Sequence, residues 1–322
     1  MTSLFNLRLI GLLATGFFCN AAYANCTVAS TTTPASVLLG THSTKVVSTG
    51  GITSGQITFL VQCTVTLGVA LLGGASTLSY TVNNPLLLTH STVPGEQIAY
   101  EIASNTTFNP TITTQGGSIG GSSFSLLSLA LLASQNMRIP VYVRSGATSR
   151  WPRSGTYNSN QILHVSGSIC TVSLLSACIG VTYPFSNNVT MPIQLEVSKL
   201  CEFISVTSDV SFGGSAFMDQ VAPQTLTARV QCTHGDTFKI YANAGAYHNG
   251  THRQMDRAGV QKIAYDIYHP GSTTNILTQA NGYNKAGTGL AEDIVFPVRV
   301  IAGQTTPAMG NYQDTVRLVI EY

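Results

Sequence analysis

Charge is scarce in this chain. Only 9% of its 322 residues are Asp, Glu, Lys or Arg, and the formal net charge is +2. The few Lys and Arg residues are scattered, so the basic stripe that neutralises phosphates is missing and nucleic acid is not an expected partner. There is no CxxC pair, no GxGxxG and no Gly-rich phosphate loop, which removes the commonest zinc and nucleotide signatures. Four of the histidines, His234, His248, His252 and His269, fall in the last third of the chain. His248 and His252 are four apart, but YHNGTHR reads as a loop, so no helix brings them to one face. No nucleophile–base pair stands out. Neither enzymatic activity nor a metal or cofactor is expected. Past the amino terminus no apolar run reaches the eighteen or so residues of a membrane span. Helical periodicity is also lacking, except that the uncharged stretch SSFSLLSLALLASQNM (122–137) does not exclude a short helix.

What is present points to an exported β protein. MTSLFNLRLIGLLATGFFCNAAYA has a basic residue, an apolar run and a small-residue end, the pattern of a secretory signal peptide over 1–24. Cys19 would leave with it. Six cysteines remain, and an even number in an exported chain favours disulfides. Six allow 15 pairings; the sequential, local set is expected, Cys26–Cys63, Cys170–Cys178 and Cys201–Cys232. Segments such as GQITFLVQC, IPVYVRS, MPIQLEVS, LTARVQC and DIVFPVRV alternate with period two and are rich in β-branched and aromatic residues. The fold class is all-β, built of sandwiches.

The second half repeats the first. VQCT recurs at 61–64 and 230–233, IAYEIA (98–103) returns as IAYDIY (263–268), IPVYV (139–143) as FPVRV (296–300), and SGTYNSNQILHV (154–165) as MGNYQDTVRLVI (309–320). Four matches in one order indicate two related domains, 25–200 and 201–322. Their differences are informative. Where the second domain has HGD, the first has VTLGVALLGGAS (65–76). Where the second has the polar YNKAGTGLAED, the first has the stretch at 122–137. Where the second ends, the first continues through CTVSLLSAC (170–178) to one more strand.

With strands at 59–65, 77–83, 98–104, 138–144, 158–168 and 188–198, the three insertions occupy alternate connections and should meet at one pole. Their apolar side chains are Leu67, Val69, Leu71 and Leu72; Phe124, Leu126, Leu127, Leu129, Leu131 and Leu132; and Val172, Leu174 and Leu175. None of the first domain's charges, Lys45, Arg138, Arg144, Arg150, Arg153, Lys199, Glu96, Glu101 and Glu196, lies among them. An apolar patch of that kind marks a binding surface, and a Cys170–Cys178 clamp would cut the entropy of presenting it. The competing reading folds these loops back as a cap on the domain's own core. A carbohydrate site around Trp151, Tyr157, Arg150 and Arg153 competes less well with solvated loop residues. A membrane-inserting domain is a third class.

The second domain lacks the first domain's final strand. A sandwich one strand short leaves open backbone edges that invite a strand from another chain. With only Asn25 before Cys26 in the mature chain, no arm is free to donate, so the chain is expected to accept a strand at the tip of a fibre.

SFGGSAF (211–217), ARVQCTHG (228–235), HRQM (252–255), IAYDIYHPG (263–271) and GNYQDTVRLVIEY (310–322) resemble the spore coat protein U domain family, which includes fimbrial subunits of archaic, Csu-type chaperone–usher pili. The likeness is close over about 120 residues of the second domain. In the first domain GTYNSN (155–160) lacks the Asp-Thr of the last motif, so its membership rests on the repeat. The two-domain layout looks like the tip adhesin of such a pilus. The resemblance implies immunoglobulin-like sandwiches, the second completed by donor-strand complementation. It implies as partners a periplasmic chaperone, an outer-membrane usher and the amino-terminal arm of the next subunit. It also implies export through the periplasm to the pilus tip, and apolar fingers that attach cells to hydrophobic abiotic or host surfaces and promote biofilm formation. Carried onto this chain, the fingers are the three insertions, and Val316, Leu318, Ile320 and Tyr322 border the acceptor groove. The alternatives are a non-adhesive initiator or cap subunit and a carbohydrate-binding adhesin.

Overall fold

The computed structural model describes residues 24–30, 36–65, 77–120, 135–170, 173–174, 177–179, 181–215 and 217–322. The expected signal peptide, but for Ala24, and most of each apolar insertion lie outside them. The described residues form two β-sandwich domains with separate hydrophobic cores, one drawing on residues from Cys26 to Val197 and the other on residues from Cys201 to Val298 with partly buried neighbours to Ile320.

The first domain contains β1 (Ala24–Ser30), β2 (Val37–Ser43), α1 (Thr44–Thr49), β3 (Ile57–Val65), β4 (Thr77–Val82), β5 (Leu87–His90), β6 (Gln97–Ala103), β7 (Thr111–Ile112), β8 (Ser118–Gly120), β9 (Gln135–Ser145), β10 (Gly155–Cys170), the short hairpin β11 (Ser173–Leu174) and β12 (Ala177–Cys178), and β13 (Thr182–Ser198). The second contains β14 (Cys201–Val206), β15 (Gln224–Cys232), β16 (Thr237–Ala242), β17 (Arg253–Arg257), β18 (Gln261–Ile267), β19 (Tyr283–Ala286), β20 (Ala291–Val300) and β21 (Leu318–Glu321). Period-two alternation drives the packing. In β13, Met191, Ile193, Leu195 and Val197 are at most 1% exposed, and the residues between them face outward.

The repeat is a repeat of topology. The ladder β1-β3-β9-β6-β5 returns as β14-β15-β20-β18-β17, and β8-β4-β10 returns as β19-β16-β21. Among the strands without a second copy, two long ones matter here. β13 pairs antiparallel with β10 along its whole length, and β2 pairs parallel with β13. Asn187 Nδ2 donates to the Cys26 carbonyl at 3.2 Å, tying β13 to β1 and closing the first sandwich. In the second domain β14 and β21 are both edge strands, and among the described residues nothing pairs with the outer side of either.

Several elements differ from the sequence expectation. A helix stands at α1, where none was expected. It has only six residues, too few to show periodicity, and depends on local caps: Ser43 accepts from the Val46 N–H, and the Gly50 N–H donates to the Val47 carbonyl. β2, β5, β7 and β8 were not foreseen either. Gln135, Asn136 and Met137, read as the end of the apolar insertion, belong to β9. Much of the polar YNKAGTGLAED is strand, in β19 and β20, leaving only 287–290 as the connection.

Candidate functional site: a loop end and an open groove

The missed strands leave the pole argument intact. β5 runs in the same direction as β4 and pairs with the same edge of β10, so β4 and β5 act as one interrupted strand. β7 and β8 add two reversals between β6 and β9, which cancel. Following the antiparallel ladders, β3, β8 and β10 all run toward one end of the domain, and β4, β9 and β13 all start from it. The register agrees: Cys63 faces Gln135, Thr77 faces Ser168, Gly120 pairs beside Thr77 at Ser79, and Cys170 faces Thr182. The stems of all three insertions therefore lie at one end, called the loop end here; the opposite end is the base.

Of the thirteen finger side chains expected there, Leu67, Val69, Leu71, Leu72, Phe124, Leu126, Leu127, Leu129, Leu131, Leu132, Val172 and Leu175 lie outside the described residues, and for Leu174 only the backbone in β11 is described. Cys170 and Cys178 are bonded to each other across the foot of the third insertion, with Cα atoms 5.8 Å apart. Cys201 and Cys232 are bonded, and Cys26 is in a disulfide and faces Cys63 in the β1–β3 register. Two apolar residues that sequence reasoning passed over stand at this end: Ile179 is 65% exposed and Val181 57%. They sit just past CTVSLLSAC, where a fuller reading of that run could have found them.

The groove lies between β14 and β21. Aligned on the repeat, Gln161, Leu163 and Val165 of β10 correspond to Val316, Leu318 and Ile320. The first three are fully buried, whereas the second three are only partly buried against their core, with Phe203, Val210 and Phe212 partly buried against that core as well. The difference is the cover that β13 and β2 give in the first domain. Tyr322, expected on the same edge, follows the end of β21 and is half exposed. β21 itself is held only by β16, from Lys239 opposite Glu321 to Ala242 opposite Leu318. The Gly-x-Tyr that opens β10 and precedes β21 has a shared purpose. The Tyr157 hydroxyl donates to the Arg153 carbonyl at 3.0 Å, and the Tyr312 hydroxyl to the Ala308 carbonyl at 2.8 Å, a tyrosine corner in both domains.

Within the cluster Arg150, Trp151, Arg153 and Tyr157, the two aromatics are not solvated loop residues. Trp151 is 5% exposed and Tyr157 is fully buried. The Trp151 N–H donates to the Gly289 carbonyl (2.9 Å), and the His234 N–H donates to the Trp151 carbonyl (3.4 Å). Arg150 Nη2 and His234 Nδ1 converge on Glu96 Oε1 at 3.1 and 2.8 Å. These residues join the base of the first domain to the loop end of the second. Two glycines permit the approach: at φ +77° a Cβ on Gly289 would come within 2.6 Å of the Trp151 carbonyl oxygen, and at φ +72° one on Gly235 would strike the Arg153 guanidinium.

The histidines have structural partners. His252 Nδ1 lies 2.5 Å from Asp266 Oδ2, and Asp266, 1% exposed, also lies 3.5 Å from Arg253 Nη1. Arg253, 2% exposed, donates to the carbonyls of Asn243, Ala242 and Leu277. Burial lowers its guanidinium pKa, and Asp266 opposes that shift. Among the described residues, no three His, Cys, Asp or Glu side chains gather as a metal site, and no helix is long and apolar enough to cross a membrane.

Residues 187–318 match the Spore Coat Protein U domain, a stretch that begins inside β13 rather than at β14. No curated protein matches the sequence. Among solved structures, one similar chain belongs to the CsuC–CsuE chaperone–tip adhesion subunit pre-assembly complex of the archaic chaperone–usher Csu pili of Acinetobacter baumannii. It is 21% identical with a TM-score of 0.48, over 92% of this chain and all of that one. The CupB6 tip adhesin of Pseudomonas aeruginosa is 11% identical with a TM-score of 0.34, over 93% of this chain and 94% of that one. The CooA pilin subunit of enterotoxigenic Escherichia coli is 12% identical with a TM-score of 0.30, over 54% of this chain and 98% of that one.

Proposed function

We propose that this chain, which carries a Spore Coat Protein U domain over residues 187–318, is the tip adhesin of a Csu-type chaperone–usher pilus. In this reading residues 1–24 are a signal peptide, 25–200 the adhesin domain and 201–322 the pilin domain. The three apolar insertions attach the cell to hydrophobic surfaces and so promote biofilm formation. The protein passes through the periplasm with a chaperone strand in the groove, and at the usher that strand is exchanged for the arm of the next subunit.

The observation that carries this reading is the opposition of two features. The stems of the insertions share one end of the first domain, and the second domain has an edge at β21 that its own chain does not cover. In the first domain β13 covers the equivalent edge, with Leu195 opposite Tyr157, Ile193 opposite Ser159 and Met191 opposite Gln161. An incoming strand lying the same way would run antiparallel to β21 and put apolar side chains opposite Gly310, Tyr312, Asp314 and Val316. Four such side chains give on the order of 10 kcal/mol gross, at roughly 1.5–3 kcal/mol each. That is enough to hold a strand and to explain why a chaperone must supply one first.

The test replaces Leu129, Leu131 and Leu132 with Ser in the assembled pilus. Attachment to plastic is expected to fall to background, while the yield of the chaperone complex is unchanged. Undiminished attachment would remove the insertions from the binding role; a lost chaperone complex would return them to the core.

A further inference from the structure

The two domains show how one subunit of this fold seats on another. In the first domain β13 runs antiparallel to β10, from the loop end to the base, and ends at Ser198. After Lys199 and Leu200 the chain enters β14 at the loop end of the second domain, which packs against that base. The contact uses the β5–β6 turn, through Glu96, and the loop before β10, through Trp151.

The corresponding base of the second domain is at its far end. β20 starts beside the joint at Ala291 and runs to Val300, roughly 30 Å at about 3.3 Å per residue. The β17–β18 turn lies beyond it, since Tyr265 faces Val300 and the strand begins four residues earlier. This base is uncovered. Val260 in the turn is 74% exposed, Met309 90% and Tyr247 39%. Met309 adjoins the turn, because Gly310 packs on Arg257 and the Ala308 N–H donates to Gln261 Oε1. Between them is a cavity of about 410 Å³ whose lining includes Tyr247, Ala258, Asn311 and two carboxylates, Asp256 and Asp314.

Asp314 is satisfied by the N–H groups of Ala246 and Thr315 and by the Tyr265 hydroxyl. Asp256, 9% exposed, accepts from the Gly259 N–H through Oδ2, but its Oδ1 has no hydrogen-bond partner. Of the nearby cations, Lys262 lies over the Tyr247 ring, and the buried Arg253, which interacts with Asp314, donates its N–H groups to three backbone carbonyls.

We infer that this base is the seat for the loop end of the following subunit, a domain of the same fold, with a basic side chain of its β15–β16-type loop lodged beside Asp256 and Asp314. The inference rests on the reading above, that a following subunit donates a strand to the groove. A donor lying as β13 does would leave the second domain at this base and begin its own first strand there. The body of its subunit would then meet Val260, Met309 and Tyr247, as the second domain here meets the first. His234 Nδ1, 2.8 Å from Glu96 Oε1, is the internal example of a loop side chain set against a carboxylate of the base.

The test compares amide exchange in the full chain, purified once with its chaperone and once as the detergent-resistant pair with the pilus subunit inserted in the second domain. Exchange at 257–260 and 308–309, beyond the reach of the donated strand, is expected to slow about tenfold or more in the pair. Val260→Ser with Met309→Ser should restore fast exchange there while the pair stays detergent-resistant. Asp256→Asn should give a smaller rise that high salt reproduces in the parent. Equal exchange in the two complexes, or protection that survives the double substitution, would overturn the inference. Failure to form any resistant pair would overturn the donor-strand reading along with it, and the gel reveals that before exchange is measured.

Discussion

The same end of the same sandwich is built twice in this chain, to different purposes. In the first domain the connections from β3 to β4, β8 to β9 and β10 to β13 carry the long apolar insertions. In the second domain the connection from β15 to β16 is the short 233–236, and that from β19 to β20 is 287–290. Those two short loops seat on the first domain, with His234 and Gly289 bonded to Trp151. Short polar loops with glycines at the close approaches thus suffice to finish this end of the fold. On the reading proposed above, the leucines of the first domain serve contact rather than the sandwich, and what they contact is the functional question.

The comparison can be broken most forcefully at the uncovered edge. If the second domain differs from the first chiefly by lacking β13, then appending residues 187–198 after Tyr322 through a short Gly-Ser turn should complete it. The gross gain is on the order of 10 kcal/mol, from burying Met191, Ile193, Leu195 and Val197 against the groove. The expected outcome is a chain that stays soluble without chaperone and unfolds cooperatively at a higher temperature. An unaltered melt would mean that the groove does not accept a strand in the manner of β10.

A second difference lies in how each domain treats one repeated position. Glu101 of IAYEIA pairs with Arg144 at the surface, with side chains 19% and 35% exposed, whereas Asp266 of IAYDIY pairs with Arg253 at 1% and 2%. Exposed pairs contribute about 0–1 kcal/mol, but removing one partner of a buried pair costs about 3–5 kcal/mol because the other charge is left uncompensated. Arg253→Met is therefore expected to lower the melt of the second domain markedly, with or without the strand appended. Arg144→Met should leave the first domain's melt nearly where it was. Equal effects in a denaturant series would show that the buried pair is not what distinguishes them.

The joint is the next test. Gly289→Ala places a methyl against the Trp151 carbonyl, where the main chain cannot step aside, and holds a side chain at φ +77°. A cost of about 1–3 kcal/mol is expected, felt as parting of the domains rather than loss of either core. Small-angle scattering of the chaperone complex should show a longer, more variable particle. Gly235→Ala meets only the end of the Arg153 side chain and should do less.

The repeat carried most of what was legible in advance. VQCT, IAY[ED]I and the Gly-x-Tyr strand fall on β3 and β15, β6 and β18, and the approaches to β10 and β21, positions where alternation is long enough to see. What escaped was short or relational. β5, β7 and β8 have two to four residues each, below any readable period. Trp151 looked like a loop aromatic because the groups that bury it, Gly289 and His234, are more than eighty residues away. The buried role of Asp266 was equally hidden, since Glu101 at the same point of the repeat is only partly buried. The insertion stems share one end despite the strands too short to read, because β7 and β8 come as a pair and β5 extends β4.

The smallest expected effect bears on the loop end itself. Ile179 and Val181 are exposed beside the Cys170–Cys178 clamp. Replacing both with Ser should shift stability by no more than about 0.5 kcal/mol, the range for surface positions. If the apolar insertions act together on an external surface, these two residues extend that surface, and their loss should weaken attachment to plastic measurably but far less than loss of the leucines at 129, 131 and 132. If the insertions instead cap the core, attachment should not change, because nothing at this end would touch the surface. The paired measurement separates the two cases: stability must hold in both, and only attachment can tell them apart.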